Sequence, residues 1–265
     1  MWGLGVAFGI LVGFALGLTG GGGSIFAVPL LVYGLGVPAH EAVGISLASV
    51  GATSFVGALQ RWRAGELEPG VGMLFAGGGI AGAPLGSWLN GLLPAHLLLL
   101  LFAGLMLVVA AHMWRKASRR PGAPAGGRAP TCSRDPTGRL TWTSRCAVLL
   151  TAVGLLTGIL SGMFGVGGGF VIVPALMFFS GMTIRHAVAT SMMAITLISA
   201  SGVSAYLLAG RPLSLEIAGA FVLGGLLGLV LGTLVGRRIS GPQLQKMFAG
   251  FIVAVAAFVI AKSVG

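Results

Sequence analysis

Twice in this chain a run of glycines breaks a long apolar stretch. Gly20, Gly21, Gly22, Gly23 and Ser24 lead to Pro29, and Gly165, Val166, Gly167, Gly168 and Gly169 lead to Pro174. Of the chain, 56% is hydrophobic and only 8% charged, with a mean hydropathy of +1.00. Such a composition is that of a polytopic membrane protein. A glycine run inside a bilayer bares backbone N–H and C=O groups, and each costs several kcal/mol unless protein, water or ligand meets it. What the turns bind is therefore the leading question.

Sliding the sequence on itself by 145 residues superposes the two turns and much else. Gly9, Gly13 and Gly17 fall on Gly154, Gly158 and Gly162, and Val28 and Pro29 on Val173 and Pro174. Ala42, Val43 and Ser46 fall on Ala187, Val188 and Ser191, and Ser54 on Ser199. With one further residue inserted, Gly78, Gly79, Gly82 and Gly86 meet Gly224, Gly225, Gly228 and Gly232. A nearly ungapped series of this length marks a duplicated unit. Each unit reads as five apolar segments, 2–18, 25–35, 41–60, 69–90 and 95–114, then 147–162, 170–179, 186–209, 213–235 and 242–261. The domains are thus a first repeat (1–114), a basic linker (115–145) and a second repeat (146–265). The second segment of each unit is too short to cross: eleven residues rise only about 16 Å. The turn before it is expected at depth, as a broken helix or the tip of a re-entrant hairpin.

Charge sets the expected orientation. The net charge is +11, and Arg115, Lys116, Arg119, Arg120, Arg128, Arg134, Arg139 and Arg145 all fall in the linker, which reads as a cytoplasmic topology signal rather than a nucleic-acid site. With the linker inside, inverted repeats put Arg61, Arg63, Arg185, Arg237, Arg238 and Lys246 inside as well. Both termini then lie outside, in the periplasm. The fold expected is all-α, with two inverted-topology repeats. Inverted repeats with discontinuous helices are the arrangement of secondary transporters, whose halves exchange conformations around one site.

Several residue groups are candidates for that site. Helices starting after the glycine turns aim unpaired N–H groups and the positive dipole end inward, which suits an anion. Gly20, Gly21, Gly22, Gly23, Ser24, Gly165, Gly167, Gly168 and Gly169 are the candidate cradle. The third segments carry hydroxyls, Ser46, Ser49, Thr53 and Ser54 in one repeat and Thr190, Ser191, Thr196 and Ser199 in the other. Among them Ser46, Thr190 and Ser191 are the chosen ligands. His40 and Glu41, with Arg185 and His186, begin the third segments and are candidates for gating or proton coupling. Glycines four apart, Gly5, Gly9, Gly13 and Gly17 and their equivalents, serve close helix packing. Cys132 and Cys146 lack metal-ligand spacing, and no disulfide is expected between them. No metal, Walker loop or dinucleotide fingerprint is present, so no cofactor is expected. An intramembrane serine protease would need a base near Ser46 or Ser191, and the histidines lie toward segment ends. The chain is not read as an enzyme.

In these residues the chain resembles the TauE/SafE sulfite-exporter family, also called the toluene sulfonate uptake permease family. The resemblance rests on the duplicated glycine turn followed by Pro29 or Pro174, and on the Ala187, Val188, Ala189, Thr190, Ser191 element. In the first repeat Ile45 stands at the Thr190-equivalent position. The resemblance implies a bacterial inner-membrane transporter of sulfite, organosulfonates or other sulfur oxyanions, with a passive anion channel or carboxylate transporter as the alternative. The partners expected are a small anion and the lipid bilayer, and the reading admits a homodimer.

Overall fold

The computed structural model describes residues 2–117 and 144–236, together with 250, 253, 256, 257 and 259. The middle of the linker, Cys132 within it, and the expected last segment at 242–261 fall outside or almost outside these residues. The described residues are mostly helical, joined by short turns, with no strand among them. They form α1 (Trp2–Thr19), α2 (Ala27–Pro29), α3 (Ala39–Arg63), α4 (Pro69–Leu92), α5 (Ala95–Ala117), α6 (Ser144–Phe164), α7 (Gly169–Phe179), α8 (Ile184–Leu208) and α9 (Leu215–Gly236). Among the described residues five helices, α1, α3, α6, α8 and α9, are long and apolar enough to cross a bilayer. The protein is a multi-pass membrane protein.

The short second segments differ between the halves. α7 is a regular helix despite Pro174. Its counterpart changes pitch along its length, from a 3-10 turn at Gly22–Phe26, through α2, to a π turn at Leu30–Gly34. Pro29 lacks the N–H that would continue the α ladder, and the pattern after it shifts to longer-range bonds.

Glycine decides how the long helices meet. α1 packs along α9, Gly9 against Phe221 and Gly224, Gly13 against Gly225 and Gly17 against Gly232. α4 packs along α6, Gly78 against Thr151, Gly82 against Leu155 and Gly86 against Ile159. In both pairs the residue numbers rise together, so the helices run parallel. A Cβ on Gly158 would lie 2.2 Å from the carbonyl oxygen of Gly79, a distance no side chain tolerates. The interfaces are backbone on backbone, the only way to pack so closely where lipid supplies no hydrophobic drive.

α1 and α6 are repeat equivalents, and so are α4 and α9. Each repeat therefore lends its first helix to the fourth helix of the other. The repeat equivalents α3 and α8 pack on one another and run antiparallel, with Gly44 against Tyr206, Leu47 against Gly202, Gly51 against Ser199 and Gly57 against Met192. A shift of 145 carries Gly57–Met192 onto Gly202–Leu47 with the partners exchanged. That exchange is the mark of an approximate two-fold axis crossing the α3/α8 pair at right angles.

Gly158→Leu is expected to abolish a stable monodisperse fold in size-exclusion chromatography of detergent extracts. Gly77→Ala, at an exposed helix position with nothing within 4 Å, is expected to leave the profile intact and add about 0.5–1 kcal/mol of stability.

Candidate functional site

The two glycine turns meet at the centre of the described bundle. A Cβ on Gly21 would fall 2.5 Å from the Cα of Gly169, so these two backbones touch directly. Gly20 and Gly165 take left-handed backbone conformations, φ +75° and +71°, and Gly167 and Gly168 do so as well. A side chain at these positions is strained regardless of space. Gly20, Gly21, Gly23, Ser24, Gly165, Gly167, Gly168 and Gly169 are all buried.

Each turn is held by the third helix of the opposite repeat. Gly20 sits on Val188 of α8, and Gly165 on Val43 of α3, an exact exchange of repeat-equivalent residues. Two serines reproduce it in hydrogen bonds. Ser191 Oγ donates to the Gly20 carbonyl at 2.9 Å, and Ser46 Oγ donates to the Gly165 carbonyl at 2.5 Å. Ser191 also lies 2.9 Å from the Val188 carbonyl. These bonds satisfy carbonyls that the left-handed turns leave bare. Ser24 closes its own turn, donating to the Gly21 carbonyl at 2.8 Å.

The N–H groups have a different fate. Among the described hydrogen bonds, Gly165 N–H donates to Ser161, but neither Gly167 nor Gly168 donates to any group. α7 starts at Gly169, so its positive end faces the junction with Gly21, where the helical stretch from Gly22 also starts. Two like-signed helix ends thus converge in a buried, low-dielectric place. The five acidic residues of the chain are Glu41, Glu66, Glu68, Asp135 and Glu216, and none lies in either turn.

Thr190 is not at this junction. Its hydroxyl accepts from Glu68 N–H at 3.2 Å, beside the first turn of α4. The candidates for gating lie at the two ends of the α3/α8 pair. At one end Glu41 Oε1 accepts from the backbone N–H of Ser214 at 3.0 Å and from its hydroxyl at 2.5 Å. Beside it Asn90 Oδ1 accepts from His40 Nδ1 at 3.0 Å and from Arg211 Nη1 at 3.1 Å, which fixes the proton of His40 on Nδ1. Asn90 donates in turn to the Met163 carbonyl at 2.8 Å, and Arg211 stacks on the Tyr206 ring. At the other end His186 Nδ1 lies 3.5 Å from Glu68 Oε1 without a hydrogen bond, and Arg185 is exposed. Glu68 and Ser214 were not singled out by sequence, although each lies just before a fourth helix, α4 or α9.

One expectation is corrected. Cys146, buried at the start of α6, is disulfide-bonded. The only other cysteine in the chain is Cys132, fourteen residues earlier in the linker.

Buried glycine turns held by contacts between two sets of membrane-spanning helices are an arrangement that membrane transporters use. The sulfite exporter TauE/SafE family model matches residues 5–259. The chain belongs to this family. It is 37% identical to a probable membrane transporter protein of Xylella fastidiosa (strain 9a5c), over 97% of this chain and 94% of that protein. It is 30% identical to the probable membrane transporter protein YdhB of Bacillus subtilis (strain 168), over 91% and 92% of the two chains. No solved structure matches.

Ser46→Ala or Ser191→Ala strips a partner from a buried carbonyl, and each is expected to cost about 1–3 kcal/mol. Thermal melts in detergent without added anion check this, with Ser204→Ala, whose hydroxyl only bonds back to Ala200 on an exposed face, as the neutral control.

Proposed function

We propose that the protein is a secondary transporter of a small oxyanion, of the sulfite or organosulfonate class, which rests between the two glycine turns while the halves exchange access. The observation that carries this reading is the convergence of two helix N-termini in a buried place with no carboxylate. Like-signed dipole ends repel there, and an anion relieves both at once. A dipole interaction of up to about 2 kcal/mol per helix end suits a solute that must also leave. The name of the family adds the sulfur chemistry.

Burial of both turns supports a carrier over an open pore, since a continuous water path past the glycines would expose them. The antiparallel crossing of α3 and α8 supports inverted topology, because a two-fold axis normal to spanning helices lies in the membrane plane. It also gathers Arg61, Arg63 and Arg185 at the end where α6 starts with Arg145, leaving Arg211 at the opposite end. By the positive-inside rule that crowded end is cytoplasmic, in a bacterial inner membrane. Cys132 and Cys146 then face a reducing compartment and close only on oxidation.

In proteoliposomes, sulfite on the trans side is expected to accelerate labelled sulfite uptake, and Gly168→Val is expected to abolish it while the protein still inserts. Sulfite current without counterflow would make the protein a channel, and unchanged flux in Gly168→Val would remove the second turn from the mechanism. After mild reduction, maleimide labelling of Cys132 only once the membrane is permeabilised is the result expected for a cytoplasmic linker.

A further inference from the structure

The hydroxyls along α3 and α8 divide sharply. Ser46 and Ser191 donate to the turns, Thr53 and Thr196 bond back to Ser49 and Met192 one helical turn earlier, and Thr190 accepts from Glu68. Ser49, Ser54 and Ser199 have no hydrogen-bond partner among the described residues, although each is at least 98% buried. A buried hydroxyl without a partner costs about 1–3 kcal/mol, and a serine on a helix can ordinarily escape that cost by bonding back to its own backbone. Thr53 and Thr196 do so from neighbouring positions on the same two helices.

Ser49 has a local explanation. It faces a small cavity among Gly9, Gly13, Thr53 and Gly225, with room for about one water molecule. Ser54 and Ser199 have no such cavity beside them among the described pockets, and they are repeat equivalents, 145 residues apart. Ser199 Oγ lies between Gly51 and the second turn, 3.7 Å and 3.8 Å from where a Cβ on Gly51 or on Gly167 would stand. The Ser199 hydroxyl therefore sits close to the second turn, just ahead of the start of α7. Among the described hydrogen bonds the Gly167 N–H is not a donor. The two-fold exchange carries Ser199 onto Ser54.

We propose that Ser54 and Ser199 are the hydroxyl donors to the transported oxyanion, one from each repeat, and that Ser46 and Ser191 instead position the turns. This rests on the oxyanion reading given above. A hydroxyl suits the task because it gives one directed donor without a buried fixed charge, which would hold the anion too long. Donors from two helices suit a solute with several acceptor oxygens on one centre, as in sulfite, sulfate or a sulfonate.

The experiment compares Ser54→Ala, Ser199→Ala and the wild type in two measurements, Tm in detergent without anion, and the Tm shift and counterflow KM with sulfite, sulfate and thiosulfate. The expected result is a Tm without anion that is unchanged or higher, with the anion affinity of each variant about tenfold weaker. A lower Tm in either variant reveals a protein partner and overturns the assignment, whatever happens to transport. An unchanged Tm with unchanged affinity overturns it too. A wild type that responds to none of the three anions removes the oxyanion reading and this assignment with it, whereas a responsive wild type matched by both variants removes this assignment alone.

Discussion

The contact between Gly21 and Gly169 is the constraint from which the rest of the architecture follows. Two backbones touch there at a distance that admits no Cβ, and two helical segments start from that point in opposite repeats. Bringing like-signed helix ends together in a low-dielectric interior is unfavourable, so other contacts must hold them. The glycine stripes supply part of this. With α1 on α9 and α4 on α6 at backbone distance, the four outer helices deliver both turns to the centre instead of leaving them at separate lipid-facing sites. The remainder comes from Val43, Val188, Ser46 and Ser191, each gripping the turn of the other repeat.

That exchange has a mechanical consequence. A turn anchored within its own repeat could move with that repeat and disturb nothing else. Here the Gly20 carbonyl is bound by α8 and the Gly165 carbonyl by α3, so any rotation of one half against the other strains both bonds together. Each is worth on the order of 1 kcal/mol net, small enough to break thermally and re-form. Under the proposed cycle the buried arrangement is an occluded state, and the two serines couple the halves.

Much of this was legible in the sequence because glycine and period carry it. The 145-residue repeat, the short second segments and the four-residue glycine spacing are local patterns, and the helices fall within a few residues of where those patterns put them. What the sequence could not carry was which hydroxyl faces which neighbour. Ser46, Thr190 and Ser191 look alike as a list of small polar residues. Adjacent positions on a helix point about 100° apart, and so Thr190 reaches Glu68 while Ser191 reaches Gly20. The pitch change after Pro29 was equally hidden, since Pro174 occupies the same place in a helix that stays regular. The disulfide at Cys146 was missed because the spacing of two cysteines does not by itself reveal whether they pair.

The repeats agree in backbone and disagree in chemistry at the two ends of the α3/α8 pair. Glu41 and His186 are equivalent positions, each at the start of the third helix and each facing the segment that leads into the fourth helix of the other repeat. Glu41 is bound by two donors of Ser214, and the adjoining His40, Asn90 and Arg211 close the same end with further hydrogen bonds. His186 has only a 3.5 Å approach to Glu68. At that end the Glu68 N–H also donates to Thr190 Oγ1 at 3.2 Å, and Arg61 pairs with Glu66 at 3.7 Å. A two-fold backbone makes two access states possible. Unequal chemistry at the two ends makes two such states differ in free energy.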